Sequence, residues 1–260
     1  KIFIINMIDK EQSNFDQILS SLKERYGRTV IPFMLPIHEG PDFIDVADIL
    51  RKKILNFKNN GSGDFNESEP NSEWTEKLNN LHNELIELIA ESNENLLETY
   101  FEKGELSDEE LRNGLHDALK DNGIIPVFCI SSEKNIGVKR MMDIIAKYAP
   151  NAGDLKSIEG FKPGTEEIIN LNNDSNESLS TFVFKTISEE HIGEMSFFRI
   201  YSGTVNVGDD LNNTTRNDSE KMRQIYYMNG KNRKDASKLI AGDIAAALKL
   251  KNTHTGDTLA

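Results

Sequence analysis

The chain opens on an unbroken apolar run, Ile2-Phe3-Ile4-Ile5, which reads as a buried strand. Four residues, Asn6-Met7-Ile8-Asp9, follow it directly. Ser13 then opens an expected helix with Phe15, Ile18, Leu19, Leu22 and Tyr26 on one face, stopped by Gly27. Val30 to Ile37 reads as a strand interrupted by Pro32 and Pro36, and Phe43 to Leu55 as a strand or turn leading into a helix. Asn, Gly, Ser and acidic residues over 59–72 predict an exposed loop. Trp74, Leu78, Leu81, Leu85 and Leu88 recur at helical spacing and predict an amphipathic helix. Ser107 and Glu110 form a capping box ahead of Leu111, Leu115 and Leu119, with Gly123 past the end. A second apolar strand, Ile124-Ile125-Pro126-Val127-Phe128-Cys129, leads to Ser131-Ser132, and a helix over Val138 to Ala149 stops before Pro150.

Beyond Pro150 the texture changes. Asn151 to Ser178 is rich in Gly, Asn, Asp and Ser, and reads as a linker with at most one short strand. Ser180 to Ile187, Ser196 to Val205, Met222 to Met228 and Ile244 to Leu250 are strand-like. Gly-Asp recurs at 208–209, 242–243 and 256–257, each at a strand edge where a tight turn is expected. The pattern predicts an α/β domain over residues 1–155, a linker over 156–178 and a small all-β barrel over 179–260. The long stretch between the first helix and the Cys129 strand exceeds an ordinary crossover, so an α+β insertion is expected from about residue 30 to about 106.

Composition refines this picture. At 260 residues, two domains are the natural expectation, and 37% hydrophobic content is enough to build their cores. No apolar run approaches the roughly 20 residues that span a bilayer, so no membrane partner is expected. One cysteine, Cys129, excludes an internal disulfide framework, and its apolar strand marks it as core in a reducing compartment. Five scattered histidines without cysteine partners give no metal site. The net charge of −13 is unevenly spread: residues 73–121 hold 14 Asp and Glu against 4 Lys and Arg. From Ser157 onward the charges nearly balance, and Arg223, Lys231, Arg233 and Lys234 form a local basic group that would suit RNA phosphates. Both features also fit an ordinary solvated surface.

The candidate chemistry lies in Asn6, Met7, Asp9, Ser131 and Ser132. If the two apolar strands lie side by side in a parallel sheet, their carboxyl ends deliver these loops to one place, where such sheets bind ligands. A carboxylate at Asp9 accepts two hydrogen bonds from the N1 and N2 edge of guanine, which adenine does not supply. Asn6 would brace the loop, and N–H groups around Ser131 and Ser132 would meet the O6 acceptor. A bare N-x-x-D arises by chance, and an aspartate there also serves to cap the next helix. The all-β stretch holds no Ser-His-Asp or Cys-His arrangement and no apolar carboxylate pair, so nothing in it suggests catalysis.

Three stretches, Phe3-Ile4-Ile5-Asn6-Met7-Ile8-Asp9-Lys10-Glu11, Pro36-Ile37 with Asp42-Phe43-Ile44-Asp45-Val46-Ala47-Asp48, and Ser131-Ser132-Glu133-Lys134-Asn135-Ile136-Gly137-Val138, resemble the later half of the G domain of bacterial elongation factor G. Phe197-Phe198-Arg199-Ile200-Tyr201-Ser202-Gly203, Gly242-Asp243-Ile244-Ala245-Ala246 and Thr255-Gly256-Asp257-Thr258-Leu259 resemble its second domain. The resemblance implies a partial P-loop-type GTPase domain followed by a translation-factor barrel, in a monomeric, cytoplasmic, ribosome-associated translocase. It implies that the insertion faces the stalk protein of the large subunit and that the barrel contacts small-subunit rRNA, with Arg233 matching a family arginine. GTP or GDP is expected in the full-length parent. The phosphate loop, switches and Mg²⁺ ligands are expected before Lys1 and the translocating domains after Ala260, so this chain alone is expected to hold no catalytic residue and to be inactive, with no nucleotide bound.

Two departures bear on that expectation. The family pattern is N-K-x-D, and Met7 stands where the lysine belongs; Ile130-Ser131-Ser132 replaces the usual Gly-Ser-Ala. Methionine mimics the apolar stem but has no donor. The resemblance therefore admits three readings: a translocase, a paralogue that docks on ribosomes with weak or no GTPase activity, and a ribosomal-protection protein. The long insertion disfavours the third.

Overall fold

The computed structural model describes residues 1–154, 157–189 and 193–260. Two compact units emerge, Lys1–Pro150 and Asn151–Ala260. The boundary expected between residues 155 and 156 lies outside the described residues.

In the first unit, β1 (Phe3–Ile5), β2 (Val30–Pro32) and β7 (Ile125–Cys129) make a three-stranded sheet in the order β1-β7-β2. Both pairings are parallel. All five residues of β7 are buried, as expected for a central strand covered on both faces. Between β1 and β2 runs α1 (Phe15–Tyr26), capped not by Ser13 but by Asn14, whose side chain accepts from Gln17 N at 2.9 Å. Ser13 instead donates its hydroxyl to Ile8 O, also at 2.9 Å.

Beyond β2 the chain changes sheets. β3 (Met34–Pro36), β4 (Asp45–Asp48), β5 (Lys53–Phe57) and β6 (Phe65–Ser68) form an antiparallel sheet in that order. Phe33 joins the two layers: its N–H donates to Val127 O at 2.9 Å, its carbonyl accepts from Ile49 N at 3.1 Å, and its ring meets Phe128 edge-on at 5.8 Å. Helices α2 (Ser72–Glu91), α3 (Glu94–Lys103) and α4 (Asp108–Lys120) follow. Leu78, Leu85 and Leu88 of the α2 stripe join one core with Val30, Ile31, Leu55 and Phe128, each such burial being worth about 1.5–3 kcal/mol. Both halves of the Ser107/Glu110 capping box form. The unit ends on α5 (Val138–Tyr148).

Several expectations give way here. Val30–Pro32 pairs with β7, so it belongs to the parallel sheet and not to an insertion beginning at residue 30. The helix expected near Leu55 is a hairpin of β4 and β5, turned at Lys52 with φ of +54°. Buried Val46, Ala47, Ile54 and Leu55 form cross-strand pairs, a tertiary gain that overrides a helical reading. Within the expected loop at 59–72, Phe65 pairs opposite Phe57 with their rings 5.1 Å apart, making residues 65–68 a strand.

In the second unit the expected linker forms a hairpin, β8 (Ser157–Phe161) with β9 (Ile168–Asn172). The remaining strands are β10 (Ser180–Glu189), β11 (Gly193–Ser202), β12 (Thr204–Asn206), β13 (Asp210–Asn213), β14 (Asp218–Lys221), β15 (Ile225–Asn229), β16 (Asn232–Ala236), β17 (Lys238–Ile240), β18 (Ile244–Leu248) and β19 (Thr258–Leu259). Eight of them form one antiparallel sheet, ordered β14-β13-β19-β10-β11-β18-β15-β16, and β12 pairs with β17. The order is open: among the described pairings β14 and β16 do not meet, so the barrel is not closed. Its core is built from Val183, Phe198, Ile200, Ala245 and Ala247.

The three Gly-Asp pairs share one construction. Gly208, Gly242 and Gly256 have φ of +100°, +96° and +97°, which a side chain would strain. Each aspartate returns its carboxylate to the N–H three residues back: Asp209 to Asn206 at 2.7 Å, Asp243 to Ile240 at 3.0 Å and Asp257 to His254 at 2.9 Å. Asp257 is buried and also accepts from Asn213 Nδ2 at 2.9 Å and Arg216 Nε at 2.6 Å. Burial pushes its carboxyl pKa upward, but the bonds from Asn213, His254 and Arg216 outweigh this and hold it below the ordinary value. A depressed pKa contributes stability above the unfolded-state value, which is lost as the pH falls through the folded one. Asp257→Asn should therefore cost about 1.5–3 kcal/mol at neutral pH and shrink the loss on acidification below about pH 4. Circular dichroism in urea reads this, with the fluorescence of Trp74, the single tryptophan and in the first unit, as an internal control.

Candidate functional site

The parallel register sets Phe3 opposite Val127, Ile4 opposite Phe128 and Ile5 opposite Cys129, so β1 and β7 end level with each other. Two further bonds continue the pairing past the strands, Ile130 N to Ile5 O at 3.0 Å and Ile8 N to Ile130 O at 3.3 Å. The loops after the two strands consequently leave the sheet side by side. Asn6 bridges them: its Oδ1 accepts from Ser132 N and from Ser132 Oγ, both at 3.0 Å. The second loop closes on itself through Ser131 N to Ile136 O at 3.0 Å and the reciprocal bond at 2.9 Å, with Lys134 N donating to Ser131 Oγ at 3.2 Å.

Asp9 is 6% exposed, and its Oδ1 has no hydrogen-bond partner. Burial alone would raise its pKa, yet hydrogen bonds from the Ser131 side chain and its own backbone, together with the charge of Lys10, bring it below the ordinary value. The carboxylate is thus ionised at neutral pH with one oxygen unspent. A buried acceptor left unpaired is costly, on the order of 1–3 kcal/mol. Met7 lies between Asn6 and Asp9, 59% exposed and held at φ of +66°.

Asn6, Asp9, Ser131 and Ser132 are therefore brought together, with Met7 at the rim. Two neighbours escaped notice in the sequence. Lys10 Nζ lies 2.7 Å from Glu133 Oε2 and 3.5 Å from Asp9 Oδ2, linking the loops through an exposed ion pair. Adjacency to Asp9 and Ser132 was the only signal for these two residues.

The basic residues behave differently. Arg233 and Lys231 lie on and beside the β15–β16 hairpin, the Arg233 guanidinium 5.6 Å from the Tyr226 ring centre. Arg223 follows β14 and lines a separate pocket of about 410 Å³ with Lys221, Lys249 and Lys251. Of the basic group expected from the sequence, only Arg223 lines this pocket, and Lys221, Lys249 and Lys251 were not singled out. The Cys129 thiol is fully buried, which drives its pKa well up and removes it as a nucleophile at neutral pH. Among the described residues no group of three or more His, Cys, Asp or Glu is arranged to hold a metal ion.

Residues 178–260 match the family model of elongation factor G domain 2. A crystal structure of a protein from Thermus thermophilus is similar in fold over 100% of this chain, with a TM-score of 0.79 and 23% identity. The chain covers 36% of that protein's length.

Gly137 sets the exit of the second loop into α5, with φ of +78°. A Cβ there would lie 2.8 Å from Cys129 O and 3.0 Å from Met34 Cε. Gly137→Ala should destabilise the first unit by about 2–4 kcal/mol, combining left-handed strain with overpacking. The midpoint of urea unfolding followed by Trp74 fluorescence checks it.

Proposed function

We propose that this chain is a middle portion of an elongation factor G-like, ribosome-associated GTP-binding factor, and that the loops after β1 and β7 form its guanine slot. One observation carries this reading: the buried, ionised Asp9 has an unsatisfied Oδ1 beside a second loop tied to Asn6. Guanine offers that carboxylate the N1 and N2 donors it lacks, whereas adenine would leave it unpaired. The domain 2 match over residues 178–260 supports the family assignment independently of the slot. In this reading the first unit selects the base, and small-subunit rRNA and the large-subunit stalk protein are partners of the intact factor in the cytoplasm. Its catalytic step and Mg²⁺ chemistry would belong to parts outside these 260 residues, which contain no G-x-x-x-x-G-K-[ST] sequence.

Met7 favours a variant of this reading, a factor with weakened nucleotide dependence. A motif lysine at this position would place a cation at the rim, whereas exposed Met7 supplies only an apolar stem. Restoring the cation adds one charge-assisted contact of about 1–3 kcal/mol.

Titration of the chain with fluorescent GDP and ADP tests the slot. GDP is expected to bind more weakly than micromolar, since base contacts act here without a phosphate loop, but about 10-fold or more tightly than ADP. Asp9→Ala should abolish the preference, and Met7→Lys should tighten GDP binding about 5- to 150-fold. Equal affinities for GDP and ADP in the unaltered chain would remove the guanine reading.

A further inference from the structure

The pocket beside β14 collects cations from two separated stretches of an otherwise acidic chain. Lys221 and Arg223 come from the end of β14 and the residues after it; Lys249 and Lys251 come from the turn leaving β18. Arg223 N donates to Lys221 O at 2.9 Å, which folds these two around one corner. Lys249 is held at φ of +59°, with its N–H on Glu194 O at 3.3 Å. Chain order gives no hint of the grouping.

The acids nearby are already engaged. Buried Glu220 accepts from Lys251 N at 2.9 Å, Asn252 N at 2.6 Å and Thr253 Oγ at 2.8 Å, so its oxygens hold the loop that presents Lys251. Asp210 pairs with Lys221, both oxygens 3.2 Å from Nζ. Asp218 accepts from Asn252 Nδ2 at 2.9 Å and Ser219 N at 2.8 Å. Asp210 and Glu220 share the lining, and the Lys251 charge helps lower the Asp218 pKa, but Arg223, Lys249 and Lys251 have no carboxylate within salt-bridge reach among the described residues, and all three are exposed.

We propose that this pocket binds clustered phosphates, engaging two or more at once through Arg223, Lys249 and Lys251. A volume of about 410 Å³ exceeds the needs of a single phosphate, and the fork of Arg223 suits two phosphate oxygens while the lysines act as point charges. Polyphosphate chains and nucleic-acid backbones share this chemistry. The site is independent of the guanine slot, because it requires neither Asp9 nor a nucleobase.

The test is calorimetry of the 260-residue chain with inorganic tripolyphosphate, alongside anisotropy titrations with a short fluorescein-labelled single-stranded RNA at several salt concentrations. Binding of either probe is expected, weakened about 10-fold or more when Arg223→Gln, Lys249→Gln and Lys251→Gln are combined. For RNA, the slope of log affinity against log salt should flatten by about 2 in that triple variant. Lys249→Arg with Lys251→Arg should retain binding, and Arg233→Gln should leave tripolyphosphate binding unchanged. Binding of RNA alone identifies a backbone ligand, and binding of tripolyphosphate alone a free polyphosphate; both support the site. Failure of both probes to bind, an unchanged triple variant, or loss of tripolyphosphate binding through Arg233→Gln alone would overturn it.

Discussion

The parallel pairing of β1 with β7 is the constraint on which the candidate site depends. Three residues of each strand are in register, from Phe3 opposite Val127 to Ile5 opposite Cys129. A two-residue slip would carry Asn6 Oδ1 out of reach of Ser132 and leave Asp9 without its neighbour. The register is held by burial: Ile5, Val127, Phe128 and Cys129 all lie in the core, where a shift would expose apolar surface or open a void. Side chains 126 positions apart meet at 3.0 Å because the strands beneath them are locked.

The second unit solves a different problem. Short strands need sharp turns, and the three Gly-Asp pairs provide them by one device, a left-handed glycine followed by an aspartate that satisfies the N–H opening the turn. At Asp257 the same carboxylate is taken inward and shared with Asn213 and Arg216. Glu220 plays a comparable part for residues 251–253. Both Glu220 oxygens are paired, and three donors converge on Asp257 Oδ2, which offsets the cost of burying each charge. Asp9 has the contrasting arrangement, with one oxygen left over.

Much of this was legible beforehand. The α2 stripe, the Ser107/Glu110 box and the second apolar strand follow from spacing and residue type alone; the first run also forms a strand, but only Ile5 of it is buried, and Ile2 and Ile4 are exposed. Short elements whose partners lie elsewhere were harder to read. Residues 65–68 carry Phe65 amid polar neighbours and become a strand only because Phe57 waits opposite. The β8–β9 hairpin hides in a Gly- and Asn-rich stretch for the same reason. Barrel closure was inferred from turn punctuation, which reports strand count and says nothing about whether the first and last strands pair.

Sequence by itself determined the polar loops that follow the two apolar runs, the acidic helices and the glycine turns, because these depend on local spacing and side-chain type. Tertiary structure decided which of them meet. It left Asp9 one unpaired oxygen, set Arg233 beside Tyr226, and assembled Arg223, Lys249 and Lys251 around one pocket. The physical reason is the range of the forces involved: turns and helix faces are settled within a few residues, whereas strand pairing and charge clustering depend on segments brought together only when the core closes.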